Sequence, residues 1–85
     1  MIIKLHKDFE KNFKKLKASE KKKFMERRDL FIKEEFNPIL NNHALKGRHF
    51  GYRSINITGD LRVLYIKHGN AVIFTTIDSH SNLYK

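Results

Sequence analysis

The sequence has no cysteine, which excludes disulfide bonds, thiolate nucleophiles and cysteine-ligated structural zinc. It also lacks a long apolar run. Residues 1–5 form a short apolar stretch before His6 and Lys7, too short for a signal peptide or a membrane span. We therefore expect a soluble cytoplasmic protein that does not enter a membrane. Such a small domain depends on packing alone, or on a partner that covers apolar surface.

Motifs for metals and cofactors are also missing. His43 and His49 lie six residues apart, with no further ligand or carboxylate cluster at metal-ligand spacing. The four glycines are scattered and typical of turns rather than of a phosphate-binding loop. No Gly-x-Ser-x-Gly turn supports a serine nucleophile. The sequence therefore predicts neither a metal nor a cofactor.

Acidic residues are scarce: 9 Asp and Glu stand against 18 Lys and Arg, a formal net charge of +9. So basic a chain attracts polyanions, nucleic acid first and then anionic membranes or acidic proteins. Residues 1–36 hold 12 basic and 7 acidic side chains, interleaved as on a solvated helix face. Residues 37–85 hold 6 basic and only 2 acidic side chains, with four of the five histidines. We therefore expect a phosphate site in the C-terminal half.

The length of 85 residues, with 40% hydrophobic residues and 7 Phe, predicts one globular domain over residues 1–85. Residues 2–5 form a β-prone start. A first helix follows, with Asp8 as its N-cap and Phe9, Phe13 and Leu16 at helical spacing.

A second helix is predicted to begin at a Ser19 cap, with Glu20 favourable at its N-terminus. It ends at Phe36-Asn37-Pro38, because the residue before a proline is disfavoured in helical geometry. Two helices joined by a short turn predict an antiparallel hairpin. The apolar side of the second helix is formed by Phe24, Met25, Phe31 and Ile32.

Three strands follow, over residues 52–57, 61–67 and 71–77, where apolar and polar residues alternate or β-branched residues dominate. Residues 58–60 and 68–70 form the turns between them. The predicted fold class is α+β, with the N-terminal strand and the helical hairpin packed on a small antiparallel sheet, in the order β-α-α-β-β-β.

The polar residues that remain in this half suit metal-independent RNA cleavage. An RNA 2′-hydroxyl attacks the adjacent phosphate when a base removes its proton, an acid protonates the leaving oxygen and cations stabilise the phosphorane. Histidine titrates near neutrality and can serve as either acid or base. Arg and Lys supply charge for the developing oxyanions.

Three motifs stand out in this half: His43-Ala44-Leu45-Lys46-Gly47, the segment from Gly51-Tyr52-Arg53 through Gly59-Asp60-Leu61-Arg62 to Tyr65, and Ser79-His80-Ser81-Asn82-Leu83-Tyr84. In this order and spacing they resemble the RelE/YafQ group of bacterial type II toxin–antitoxin toxins. The resemblance covers roughly the last half of the chain, and the helical hairpin fits the family's element order. It implies a RelE-like β-α-α-β-β-β fold, cleavage of mRNA in the ribosomal A site, and inhibition by an antitoxin.

Carried over position by position, the resemblance implies His80 as the prime acid/base residue and His43 as a second one. Tyr84 lies where an aromatic residue occupies the family's site, and Asp60 belongs to the same set. Asn56, Leu61 and Thr76 depart from residues common at these positions: a histidine, an aromatic and an arginine. The phosphate-stabilising charge then falls to Arg62, Arg53 or Lys46, of which we place Arg62 among the catalytic residues. The predicted RNA-binding residues are Lys46, Arg48, Arg53 and Asn56.

Structural roles compete with several of these assignments. His43 suits a backbone hydrogen bond, Asp60 a turn, Tyr84 a plug on the core, and Arg53 or Arg62 a pair with Asp60. The remaining histidines are assigned structural or solvent-facing roles: His6, His49 and His68.

The sequence therefore predicts a ribosome-dependent mRNA endoribonuclease, monomeric when alone, with an acidic antitoxin as its partner. Its basic helices, at residues 21–23 and 27–28, would contact rRNA or form a solvated face. One alternative is a ParE-like inhibitor of a protein target such as gyrase. Another is a degenerate relative that binds RNA or antitoxin without cutting.

Overall fold

The structure, a computed structural model, describes residues 1–84. The strands are β1 (Ile2–Leu5), β2 (His43–Ala44), β3 (Arg53–Asn56), β4 (Leu61–His68) and β5 (Ala71–Ser79). The helices are α1 (Lys7–Lys14), α2 (Ala18–Lys33) and the short α3 (His80–Leu83), with 3₁₀ turns at Pro38–Leu40 and Gly47–His49. The predicted α+β class and its order of elements are confirmed.

The strands form one sheet in the order β1-β5-β4-β3-β2. The first strand runs parallel to the last, from the pair Ile2 and Ala71 to the pair Leu5 and Phe74, and all other neighbours are antiparallel. The sheet is therefore mixed rather than wholly antiparallel, because α1 and α2 carry the chain away from β1 before the meander returns β5 to its side.

An aromatic cluster joins the helices to one face of the sheet. Phe24 lies 5.2 Å from Phe9 and 5.9 Å from Phe74 between ring centroids, and Phe31 lies 5.0 Å from Tyr65. All five side chains are at most 3% exposed. Burying a side chain of this size stabilises the fold by about 1.5–3 kcal/mol.

The predicted helix ends were wrong by a few residues. His6 caps α1 in place of Asp8, since its Nδ1 accepts the Asp8 N–H. The second helix begins at Ala18 instead of after Ser19, and the Glu20 carboxylate accepts the Lys17 N–H at 2.9 Å. It ends at Lys33, because Glu34 is already extended and Asn37 instead caps the 3₁₀ turn.

Two residues of α2 do not face the core as predicted. Phe24 and Phe31 are seven residues apart and both buried, whereas Met25 and Ile32 are 42% and 49% exposed. Met25 comes directly after Phe24, and Ile32 directly after Phe31. One residue corresponds to a rotation of about 100° around the helix, so both exposed side chains lie at the side of the helix and not on its core face. Met25 and Ile32 line a groove with Leu5 of β1.

Cross-strand partners define two faces of the sheet. The helix face carries the buried residues Ile55, Val63 and Ile77 in one row, together with Tyr65 and Phe74. The opposite face is the cleft face. It carries two further rows: Ser54, Leu64 and Thr76, and then Asn56, Arg62 and Asp78.

Candidate active site

The C-terminal tail, residues 79–84, is held against the β3–β4 turn. The His80 backbone N–H donates to the Asp60 carbonyl at 2.8 Å, so the tail and the turn share a hydrogen bond. Ser79 then caps α3 by accepting the Asn82 N–H, and Asp78 accepts from the Asn82 amide at 3.0 Å. These contacts place the exposed His80 side chain at the first position of α3.

Three rings meet at the end of this tail. The Tyr84 ring lies 4.7 Å from the His80 ring and 5.7 Å from the His49 ring between centroids. Tyr84 is 38% exposed, so it does not plug the core. The two predicted tail residues, His80 and Tyr84, are therefore brought together, with His49 as a third member.

His49 fastens the tail to the loop before β3. Its Nε2 lies 3.0 Å from the Leu83 carbonyl oxygen, which can only accept, so Nε2 carries the proton. In the neutral ring Nδ1 is then an acceptor. This bond fits the structural role predicted for His49, but its place beside His80 and Tyr84 was not anticipated.

A pocket of about 280 Å³ lies next to this ring cluster on the cleft face. Two consecutive residues of the 47–49 turn form part of its wall, and the adjacent Tyr52 forms another part. The lining residues are Asp8, Arg48, His49, Tyr52, Leu64, Thr75 and Thr76. Of the predicted RNA-binding residues only Arg48 lines this pocket.

Asp60 lies in the β3–β4 turn, and Arg62, the second residue of β4, reaches back to that turn. The Arg62 guanidinium donates to the carbonyls of Thr58, Leu61 and Gly59 at 2.9–3.2 Å. Asp60 is exposed and contributes its carbonyl to His80. The guanidinium therefore shapes the turn that holds the tail, and it is not paired with Asp60 among the residues described.

Asn56 and His43 lie further along the sheet. Asn56 pairs with Arg62 and lines a second pocket with Lys23 and Arg27 of α2. His43 is exposed on the edge strand β2, in the row of Ser54, and its Nδ1 is 2.8 Å from the Asn41 carbonyl. The backbone hydrogen bond considered for His43 is thus present.

Arg53 lies on the helix face, away from the tail. Its Nε donates to the Asn42 side chain at 2.8 Å, and its guanidinium stacks on Phe36 at 5.2 Å. Asn42 in turn donates to the Tyr65 hydroxyl, which donates to Glu35 at 2.8 Å. Lys46 is exposed just before the 47–49 turn.

Burial, with smaller contributions from the hydrogen bond to Glu35 and the charge of that carboxylate, raises the pKa of Tyr65 to about 12 against the lowering effects of Asn42 and Arg53. Within residues 1–84, no group of three or more His, Asp or Glu side chains is arranged to hold a metal ion. In the same residues, no helix is both long and apolar enough to cross a membrane.

Sequence reasoning identified Arg48 as a site residue but missed the other six residues of the pocket: Asp8, His49, Tyr52, Leu64, Thr75 and Thr76. Asp8 lies far away in sequence and was assigned to helix capping, so only the tertiary fold brings it here. Tyr52 was within the Gly51-Tyr52-Arg53 motif, and its aromatic character between Gly51 and Arg53 was the available signal.

Several solved structures share this fold. The crystal structure of YafQ from Escherichia coli superposes with a TM-score of 0.80 at 19% identity, covering 98% of this chain and 97% of that one. A YoeB/ParE toxin from Agrobacterium tumefaciens gives 0.77 at 19% identity, with 94% and 99% covered. The Escherichia coli DinJ-YafQ complex gives 0.76 at 20% identity, with 98% and 97% covered.

No curated protein sequence matches the chain significantly. A family model does: "Bacterial toxin of type II toxin-antitoxin system, YafQ" matches residues 1–85, which is the entire sequence. The resemblance drawn from the motifs is thereby confirmed, and the chain belongs to the YafQ family of type II toxins.

Proposed function

We propose that this protein is a ribosome-dependent mRNA endoribonuclease of the cytoplasm. The observation that carries the proposal is the exposed His80 side chain, which packs on Tyr84 and through it adjoins His49, a residue of the pocket wall. Two backbone bonds, His80 N–H to the Asp60 carbonyl and Tyr84 N–H to the His80 carbonyl, hold the backbone of this tail without using the ring nitrogens of His80. Within residues 1–84 these nitrogens have no hydrogen-bond partner, which suits proton transfer to or from RNA.

The reaction needs no group beyond the chain and its substrate. The 2′-oxygen bonds to phosphorus as the 5′-oxygen leaves, which gives a cyclic phosphate and a free 5′-hydroxyl. His80 and His43 share the two proton transfers, one at each oxygen. Tyr84 orients His80 and stacks on a base, while Asp60 and Arg62 hold the turn and Lys46, Arg48 and Asn56 contribute charge and hydrogen bonds along the RNA path.

Basic side chains on α2 suit the ribosome as the site of action. The helix carries six Lys and Arg against three Asp and Glu, and only some of these are paired, such as Lys23 with Glu26 at 3.4 Å. Exposed cations of this kind bind rRNA phosphates with strong salt dependence.

An acidic antitoxin is the proposed protein partner. The groove between β1 and α2 exposes Leu5, Met25 and Ile32, with Arg28 at its lip. A segment with apolar and acidic side chains complements such a surface. The toxin alone is proposed to be a monomer.

Expression of the wild type beside His80→Ala tests the nuclease. We expect growth arrest and new mRNA 5′ ends inside translated frames for the wild type, and a loss of cleavage rate of about 10²–10⁴-fold for the variant. His68→Ala is the matched control, because His68 is an exposed histidine at the other end of β4, about 23 Å from Leu61 along the strand.

Two outcomes contradict the proposal. Arrest without mRNA cuts in both the wild type and His80→Ala indicates a protein target, as in ParE-like inhibitors. No arrest and no cuts from a folded wild-type protein indicates a relative that binds RNA or antitoxin without cutting.

A further inference from the structure

The pocket beside the tail has the chemistry of a nucleobase site. Its floor is the apolar Leu64, which is 3% exposed, and two flat rings stand around it, Tyr52 and His49. Flat rings over an apolar floor suit stacking, which binds any base. The polar groups at the rim then decide which base fits.

The hydroxyls on β5 are already oriented by their partners. Thr75 lies at a register shift opposite Leu64 and Tyr65, so it and Thr76 both line the pocket although they are adjacent. Thr75 donates to the Leu64 carbonyl at 3.0 Å. Thr76 Oγ1 accepts from the Asn12 amide at 3.1 Å, which leaves the Thr76 hydrogen as a donor toward the pocket.

Asp8 is the one acidic side chain of the pocket lining, in a chain of net charge +9. Its carboxylate lies 3.7 Å from His6 Nδ1, but that nitrogen accepts the Asp8 N–H and therefore carries no proton to share. The Asp8 carboxylate, 67% exposed in the first turn of α1, repels phosphate but accepts from ligand groups that donate hydrogen bonds. Base amino groups are such donors.

We propose that this pocket binds one base of the RNA and selects it by an amino group that donates to Asp8. The proposal rests on the proposed function and names the base-reading part of that site. Adenine, cytosine and guanine each carry an amino group with an acceptor on the same edge, which matches the Asp8 carboxylate and the Thr76 hydroxyl. Uracil presents carbonyl oxygens on both sides of its one N–H, and these face the carboxylate unfavourably.

The site lies next to the reacting group. His49 lines the pocket and also holds Leu83 and contacts Tyr84, which packs on His80. The selected base therefore lies at one fixed position beside the cleaved phosphate, and uridine is depleted there.

The first test maps cut sites for the wild type and Asp8→Asn. The amide of Asn both donates and accepts, so we expect the frequency of uridine at that one position, relative to the other three bases, to rise by about tenfold. Glu10→Gln is the control, because Glu10 is an exposed acid on the same helix but does not line the pocket. An unchanged uridine frequency in Asp8→Asn overturns the proposal, as does the same change in Glu10→Gln.

A second test does not depend on cleavage. The four nucleoside 5′-monophosphates are titrated into the ¹⁵N-labelled protein, and the amide shifts of Tyr52, Thr75 and Thr76 are followed. AMP, GMP and CMP should shift these amides in the wild type, while UMP shifts them only in Asp8→Asn. Equal responses to all four nucleotides, or none, overturn the base pocket. Selective binding by a protein that cuts no mRNA would refute the nuclease and leave the pocket standing.

Discussion

The two faces of the sheet differ in how their polar atoms are satisfied. On the helix face, Asn42, Tyr65 and Glu35 form a continuous network that Lys67 closes with a 2.6 Å ion pair to Glu35. On the cleft face, Ser54 Oγ and Asn56 Oδ1 are buried yet have no hydrogen-bond partner within residues 1–84. Unsatisfied buried polar atoms cost stability, and natural proteins retain them mainly where function requires it. The helix face therefore has the more complete hydrogen bonding, and the cleft face is the one on which the proposed chemistry lies.

The largest expected effect is the loss of the core ring of Phe31. Phe31→Ala removes a fully buried side chain in contact with Tyr65 and Phe74, so the free energy of unfolding should fall by about 3–5 kcal/mol. Urea unfolding followed by circular dichroism measures it. Ile32→Ala, the half-exposed neighbour on the same helix, should cost much less. Equal losses would mean that α2 is packed on a different face.

A pH titration of the unfolding free energy tests the contribution of Tyr65, which belongs to the hydrogen-bonded network of the helix face. Its pKa of about 12 in the fold exceeds the ordinary 10, so between these values the unfolded chain loses a proton that the folded chain keeps. The contribution of Tyr65 to the free energy of unfolding is therefore constant below pH 10. It falls by about 2–3 kcal/mol as the pH rises to 12.

The comparison with Tyr65→Phe isolates this contribution, because lysines and the other tyrosines titrate in both proteins. The unfolding free energy of Tyr65→Phe should decline less steeply above pH 10. Parallel curves would show that Tyr65 ionises as easily in the fold as in the unfolded chain.

The smallest effect concerns how His49 positions the tail. His49→Leu removes the donor to Leu83, so kcat should fall by about tenfold while the stability of the core stays unchanged. His49→Gln keeps an N–H donor and should restore part of that loss, whereas a purely steric role predicts no rescue. Single-turnover cleavage of a translated message separates kcat from binding.

Much of the fold was predictable, because each element depends on a local pattern. Phe9, Phe24 and Phe31 follow helical spacing, and the alternation around Ile55 and Val63 sets the strands. The parallel pairing of β1 with β5 has no local signal, since it joins residues about 70 positions apart. Met25 and Ile32 were placed wrongly because apolar character alone does not separate the core from the flank of a helix.

The tail of the site was predictable from its motif, as the contact between His80 and Tyr84 illustrates. The pocket was not, because Asp8 and Thr76 meet only through tertiary structure. Arg53 was expected near the RNA on the strength of its charge, but strand alternation places it opposite Tyr65 on the helix face. A motif thus identifies residue types, whereas the parity of a strand decides which face they reach.

The pairing of β1 with β5 has a consequence for synthesis. Phe9 and Phe24 emerge from the ribosome before the ring they pack against, Phe74, which belongs to β5 far along the chain. The N-terminal strand likewise waits for Ala71 to Phe74 before it gains a neighbour. Contacts so distant in sequence form late and slowly. The nascent chain therefore exposes its aromatic core until β5 has been translated, and the tail with His80 takes its place only after that core has closed.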